Sequence, residues 1–195
     1  ELPSPPDTPY TTIPNDETFD RFWTSCVDTG AAASWTGFRG EFGSVLLTDP
    51  DCHRVMVLIT ECILNGVFDD RFRPFLLAHC LHLLEKPGGI RPIVCLEVFT
   101  KSAEAYLSQS NKDNFATVLG DDCFAAQPGG AQSAALLNKL YAENSTSVSV
   151  DFEAAYQTIK RDVCLERWYA SPELSASYRY VNWKYGKRAM VLLLD

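Results

Sequence analysis

Asp151 is the carboxylate whose sequence position best suits the binding of a catalytic metal ion. Asp151 follows residues 147–150, whose alternating serines and β-branched valines predict a short strand, and a helical pattern begins at Ala154. An acid between a strand and a helix can hold a divalent ion, and Mg²⁺ prefers one or two carboxylates together with substrate phosphates. An aspartate that begins a helix is also a common N-cap, so both roles stay open on spacing alone.

Two cations flank a turn signal in the middle of the chain. Lys86 precedes Pro87-Gly88-Gly89 and Arg91 follows it, and the apolar runs on either side predict a β-hairpin. A lysine point charge and an arginine fork near such a turn can both reach phosphate oxygens. The same residues also suit a solvated surface hairpin, and residues 76–85 alone could equally be helical.

Two further groups of side chains invite a chemical interpretation. His79 and His82 are three residues apart and could share a metal ion, but no third ligand lies near them in the sequence. Asp121 and Asp122 lie between apolar residues, which is the pattern of a polymerase metal hairpin. They precede Asp151, however, so that role requires a permuted order, and a solvated turn is the other interpretation.

The elements that must position these groups can be predicted from hydrophobic periodicity and from glycine and proline. The Pro-rich beginning of the chain predicts an extended arm. Ser171 is expected to cap a helix that runs through Pro172 and ends at Gly186. The other predicted elements are helices at 51–65, 97–107, 131–143 and 154–169, with the last in two pieces, and a buried strand at 189–194.

Composition limits the class of protein. Hydrophobic residues make up 46% of the 195 residues and charged residues 22%, which is enough apolar material for a core. The net charge is -8, with the acidic excess in residues 1–85, so a whole-surface attraction to nucleic acid is not expected. The seven cysteines form no C-x-x-C pair, which favours reduced intracellular thiols packed as small hydrophobes. Neither a secretion signal nor a membrane span is predicted.

Taken together and in order, several of these segments resemble the fingers and first palm motif of reverse transcriptases. The likeness is closest to non-LTR retrotransposons of the site-specific, spliced-leader-associated type found in trypanosomatids, and it runs from about residue 34 onward. The segments that carry it are Ser34-Trp35-Thr36-Gly37, Lys86-Pro87-Gly88-Gly89-Ile90-Arg91-Pro92-Ile93, Gln127-Pro128-Gly129-Gly130-Ala131, Val150-Asp151-Phe152-Glu153-Ala154-Ala155-Tyr156, Pro172-Glu173-Leu174 and Tyr185-Gly186.

The resemblance implies an α+β fold with reverse-transcriptase-like fingers and a partial palm, built from helices, a β-hairpin and a few palm strands. Its expected divisions are an extended N-terminal arm at 1–33, a fingers-like region at 34–146 and a partial palm at 147–195. The family's second metal motif, an aromatic-x-Asp-Asp hairpin, would lie beyond the palm strand at which the sequence ends.

The resemblance also implies roles for individual residues. Asp151 matches the first catalytic aspartate, which binds both Mg²⁺ ions of a two-metal site, and the carbonyl of Phe152 would be a further ligand. Lys86 and Arg91 match the fingers cations that bind the incoming triphosphate, and Tyr156 matches the aromatic ring that crowds a ribose 2′-hydroxyl. The template-side turn corresponds to Gly129 and Gly130.

The function implied is that of an N-terminal part of a retrotransposon RNA-directed DNA polymerase. Its partners would be an RNA template, a DNA primer and dNTPs, with no membrane, and its location would be intracellular and nuclear. With one catalytic carboxylate where the chemistry needs two or three, these 195 residues are expected to be inactive by themselves. The alternative is a catalytically dead module of the same type that serves as an RNA-binding or protein-interaction scaffold, which the acidic charge favours.

Overall fold

The computed structural model describes residues 7, 9–26, 33–121, 123–141, 146, 148, 150, 158–189 and 191–193. This part of the chain is α+β and mostly helical. Short 3₁₀ segments cover Phe124–Ala126 and Ser175–Ser177. The helices and strands, in chain order, are α1 Asp16–Cys26, α2 Gly40–Leu46, α3 Pro50–Leu64, α4 Arg73–Leu76, β1 His79–Lys86, β2 Gly89–Cys95, α5 Val98–Ser110, α6 Lys112–Leu119, α7 Gly130–Tyr141, α8 Arg161–Ala170, α9 Tyr178–Tyr185 and β3 Val191–Leu193.

The hydrophobic core lies among α1, α3, α5 and α9. Helix α5 packs against both α1 and α3, and α9 contacts α3 and α8. Because α9 belongs to the same core as α1, the core crosses both expected divisions, at residue 33 and at residue 146. The most buried apolar side chains from these helices are Phe19, Trp23, Met56, Ile63, Leu64, Ala103, Leu107, Tyr178, Tyr180, Val181 and Trp183.

The expectation of an extended arm over 1–33 is wrong for Asp16–Cys26, which form α1. An N-cap hydrogen bond and a pair of buried aromatic side chains account for this helix. The Asn15 side chain accepts a hydrogen bond from the Thr18 backbone N–H at 2.8 Å, which is N-cap geometry. Phe19 and Trp23 are four residues apart, lie on one face of the helix and are 1% and 0% exposed. The arm prediction gave the prolines before residue 10 too much weight.

The predicted hairpin is confirmed, and it forms two strands of a small sheet. Strands β1 and β2 are antiparallel, and β3 pairs in parallel with the first part of β1, giving the order β2-β1-β3. Residues 76–78 precede the strand, and Leu76 ends α4 instead. Strand β2 lies at an edge of this sheet, where the absent N–H of Pro92 does least harm.

The predicted helices at 51–65, 97–107 and 131–143 are confirmed to within a few residues by α3, α5 and α7. The helix expected to begin beside Ser171 is different. Residues 172–174 form a turn, a 3₁₀ segment follows, and α9 begins only at Tyr178. The hydroxyl of Ser171 donates to the carboxylate of Glu173 at 2.9 Å instead of capping a helix.

The strand predicted at 147–150 is not formed at the two valines that the structure describes there. Val148 and Val150 have no strand assignment, and their side chains are 79% and 70% exposed. Two valines in alternation are a short signal, and a strand needs a neighbour with which to share hydrogen bonds. The predicted strand at 189–194 is confirmed for Val191–Leu193, which form β3, whereas Ala189 lies outside the strand.

Two further observations concern the surface and the thiols. In the stretches listed above, none of the helices is both long and apolar enough to cross a membrane. Six cysteines are described as free thiols, and only Cys80 among them is buried, where burial raises the pKa of its thiol. The expectation that the cysteines are mostly packed as small hydrophobes therefore holds for Cys80 but not for exposed Cys164.

Candidate nucleotide-binding hairpin

The turn between β1 and β2 is set by its proline and glycines. Lys86 and Gly89 are paired across the strands, which leaves Pro87 and Gly88 as the two loop residues. Proline fixes its own φ near -65°, and Gly88 has a φ of 84°, a left-handed value that suits glycine. This is the residue pattern of a type II turn, and it brings the cationic segments on either side together.

The register of the hairpin places Lys86 and Arg91 on the same face. Arg91 lies directly opposite Leu84, and Leu84 and Lys86 are two residues apart on β1. Directly opposed residues share a face of an antiparallel pair, as do residues two apart on one strand. Both cations are exposed, and neither has a carboxylate partner among the residues that the structure covers. The register therefore places two positive side chains on one face near the tip of the hairpin.

Residues 34–37 lie at the base of this hairpin. The Trp35 indole donates to the carbonyl of Phe75 at 2.8 Å, just before β1. The hydroxyl of Thr36 donates to the carboxylate of Glu97 at 2.9 Å, just after β2. Glu97 is 4% exposed, so this hydrogen bond stabilises a buried acid. The segment 34–37 thereby joins both ends of the hairpin.

The two glycines predicted to face a template have local structural reasons for their identity. Gly129 has a φ of 67°, which is left-handed backbone. Gly130 begins α7 and is buried, and a Cβ at this position would collide with the carbonyl of Phe124. The turn therefore needs glycine at both positions whether or not a template lies nearby.

Several predicted site residues lie outside the described part of the chain. These are Asp151 and Phe152, expected to bind metal, and Tyr156, expected to sense the sugar. Asp122 is also outside it, whereas Asp121 is exposed and its carbonyl accepts a hydrogen bond from the Gln127 side chain at 2.7 Å. The roles of these residues stay predictions.

A metal site shared by His79 and His82 is wrong on geometric grounds. Both residues lie on β1 and are separated by three positions, so their side chains point to opposite faces of the sheet. More generally, the residues that can be described contain no group of three or more His, Cys, Asp or Glu side chains that could hold a metal ion.

Arg73 is a functional-looking cation that the sequence did not single out, and its role is structural. The side chain is 4% exposed, and burial holds the pKa of its guanidinium below the usual value. It donates to the carbonyls of Trp183 at 2.6 Å and Lys184 at 2.9 Å, at the end of α9. It also donates to the carbonyls of Lys187 at 2.9 Å and Arg188 at 3.2 Å.

The basic cluster at the end of α9 divides into paired and unpaired cations. Lys184 is 8% exposed and forms an ion pair with Glu104 of α5. Lys187 forms an ion pair with Asp70 on the surface. Arg188 is exposed and has no carboxylate partner in the stretches that can be described. The ion pairs of a charged helix end account for Lys184 and Lys187 but not for Arg188.

Comparisons with known proteins identified no relative of this chain. No family model, no curated protein and no solved structure matches the chain. The functional interpretation therefore depends on the residues themselves.

Proposed function

We propose that the chain is a fingers and first-palm segment of a retrotransposon RNA-directed DNA polymerase, in which the β-hairpin binds the triphosphate of an incoming dNTP. The observation that carries the proposal is the shared face of Lys86 and Arg91 beside a two-residue turn. Two exposed cations on one face of a hairpin can neutralise the charge that develops on a transferring phosphate. The contacts of residues 34–37 at the base of the hairpin are consistent with it.

The metal chemistry belongs to the proposal as well. The Asp151 carboxylate and the Phe152 carbonyl are oxygen donors of the kind that Mg²⁺ prefers. When bound, two such ions would stabilise the attacking and leaving oxygens of phosphoryl transfer. The role of Tyr156 would be to crowd a 2′-hydroxyl, so that deoxynucleotides are favoured over ribonucleotides.

The hairpin role is tested by nucleotide binding to the purified chain. We expect dTTP with Mg²⁺ to bind, and the double variant Lys86→Ala with Arg91→Ala to lose at least about tenfold in affinity. The matched control, Lys112→Ala with Arg39→Ala, removes one lysine and one arginine from exposed positions elsewhere and should change affinity less than about twofold. Equal losses in the two variants would show that only overall charge matters.

A primer-extension assay with Mg²⁺ and dNTPs tests the catalytic part of the proposal. The 195 residues are expected to add no nucleotide, because they supply one of the carboxylates that a two-metal site needs. Incorporation that is abolished by Asp151→Ala would contradict the expected inactivity while supporting the role of Asp151.

The second candidate is a catalytically dead module of the same type that acts as a scaffold. Its support is the net charge of -8, which does not favour a nucleic-acid groove over the whole surface. Absence of dTTP binding to the wild-type chain, together with retained binding of an RNA or a protein, would favour the scaffold over the polymerase segment.

A further inference from the structure

A cavity of about 610 Å³ lies between the sheet and the last two helices, away from the hairpin tip. Arg161 lines it at the start of α8, and Tyr185 and Arg188 line it at and beyond the end of α9. His79 and Val94 form the wall from the sheet. The volume is within the usual range for a site that holds a small molecule.

The cavity lies on the opposite face of the hairpin from the two tip cations. Side chains alternate between the two faces along each strand. In the register of this hairpin, His79 and Val94 lie on one face, and Lys86 and Arg91 lie on the other. The two regions therefore cannot bind the same phosphate group. An inference about the cavity is independent of the proposed function of the hairpin.

The electrostatics of the cavity are those of an anion site. Arg161 and Arg188 are both exposed, and neither side chain has a hydrogen bond or an ion pair with any residue that the structure describes. Among the described lining residues there is no aspartate or glutamate, and the third cation, Lys184, is already paired with Glu104. Both guanidinium groups are therefore without a partner among the described residues and can attract a ligand of opposite charge.

A second depression beside the first is lined by the same two arginines. Its volume is about 540 Å³, and Arg161, Tyr185 and Arg188 line it as well as the first cavity. Asp162 also lines this depression and adds a carboxylate that the first cavity lacks. Tyr185 lies beside both arginines in the lining of the two cavities, and 42% of its surface is exposed. An apolar cavity of about 450 Å³ is also lined by Tyr185 and Arg161, together with Trp168.

This combination of groups fits one kind of ligand. A guanidinium fork binds phosphate oxygens through two parallel hydrogen bonds, which a point charge cannot do. An exposed tyrosine ring offers a face on which a nucleobase can stack. We propose that the cavity binds a nucleotide unit, with Arg161 and Arg188 on the phosphate and Tyr185 against the base. The phosphate belongs to a free nucleotide or to a single-stranded nucleic acid, and the experiment separates these sources.

The test uses the full chain with Lys86→Ala and Arg91→Ala already introduced, so that the hairpin contributes nothing. Titration calorimetry with inorganic pyrophosphate and with dTMP measures small ligands, and fluorescence anisotropy with a labelled 12-nucleotide oligothymidylate measures the nucleic acid. Adding Arg161→Ala and Arg188→Ala should reduce binding at least about tenfold. The lysine pair, Arg161→Lys with Arg188→Lys, should recover only part of the affinity, because it keeps the charge without the fork.

Matched variants make the result specific. Arg39→Ala with Arg167→Ala removes the same charge from exposed positions outside this cavity and should leave affinity within about twofold. Tyr185→Leu should weaken dTMP and the oligonucleotide but not pyrophosphate, since only the first two have a base to stack. Binding of dTMP alone identifies a free nucleotide, and binding of the oligonucleotide alone identifies a nucleic-acid strand.

Two outcomes overturn the proposal. One is absence of binding by every probe at millimolar concentration in chains whose circular dichroism and thermal midpoint are unchanged. The other is an equal loss of affinity in the Arg39 and Arg167 control. Neither outcome affects the hairpin proposal, which is measured on Lys86 and Arg91 in a chain with the cavity intact.

Discussion

Arg73 illustrates how much one side chain can contribute when all its partners are backbone groups. The last carbonyls of a helix have no partner within the helix, and a cation at this end also interacts favourably with the helix dipole. In this protein the guanidinium comes from α4 and satisfies four carbonyls at and after the end of α9. Removal of the side chain would leave these acceptors buried or near-buried and unpaired.

Replacement of Arg73 by alanine is expected to lower the free energy of unfolding by about 3 kcal/mol or more. Lysine should not rescue it, because a single ammonium cannot reach carbonyls in four directions. The measurement is urea unfolding followed by tryptophan fluorescence. Arg71→Ala is the control, since Arg71 pairs with Asp69 on the surface and should change stability by less than about 1 kcal/mol. Similar losses in both variants would contradict this account of Arg73.

His79 should make the stability of the protein depend on pH. Burial and the nearby Lys184 hold the pKa of its ring below the usual 6.5, although Glu104 and Glu97 act in the other direction. Because the unfolded chain then binds the proton more readily, stability is expected to fall as the pH drops below about 6.5. Unfolding titrations between pH 7.5 and pH 5.5 measure this, with pH values chosen to span that ordinary His pKa.

A second histidine on β1, His82, provides the control for the pH effect. His79→Gln should flatten the dependence, whereas His82→Gln, at an exposed position of the same strand, should retain it. A slope that survives His79→Gln would assign the effect to another group.

At the scale of elements, the local signals predicted most of the secondary structure. The hairpin followed from Pro87 and Gly88 between apolar runs, and α3 followed from its spacing and its glycine stop. The failures came where tertiary contacts decide. Helix α1 is stabilised by burial of Trp23, and α9 begins late because the turn at 172–174 interrupts the expected helix.

Substitution of the glycine after α3 can separate the cost of backbone strain from the cost of a steric collision. Gly66 has a φ of 62°, and a Cβ there would lie 2.7 Å from the Cβ of Trp183. Gly66→Ala therefore combines backbone strain with a collision against α9, and we expect a loss of about 2–4 kcal/mol. Gly37→Ala has a similar φ of 74° with open space around it, so about 1 kcal/mol is expected. Thermal unfolding of the two variants measures the difference, and equal losses would exclude the collision.

The candidate site was only partly predictable from the sequence. The cationic hairpin was found because its residues are contiguous, so the turn alone determines their geometry. Arg73 and the pair Arg161 and Arg188 were not found, because their partners lie on elements distant in the chain. Only the packing of α4, α8 and α9 makes such residues neighbours.

At the scale of the whole molecule, residues 9–26 contribute to the core through Ile13, Phe19 and Trp23. Besides α1, the Thr11 backbone N–H donates to the Asn65 side chain at 2.8 Å, and Ile13 donates to Glu61 at 2.7 Å. A chain that begins at residue 33 is therefore expected to lose cooperative unfolding, because it lacks Phe19 and Trp23. Calorimetry measures the transition. Removal of residues 1–8 keeps every one of these contacts and is the control, and a cooperative transition in the shorter chain would contradict the prediction.

The hydrogen bonds of Arg73 also have a consequence for how the protein is made. They join residues up to 115 positions apart. During translation the arginine leaves the ribosome while its acceptors are not yet synthesised, so its guanidinium stays hydrated until the end of α9 is made. Final closure of the fold must wait for residues 183–188, and the intermediate that waits exposes the side of the core that α9 will cover.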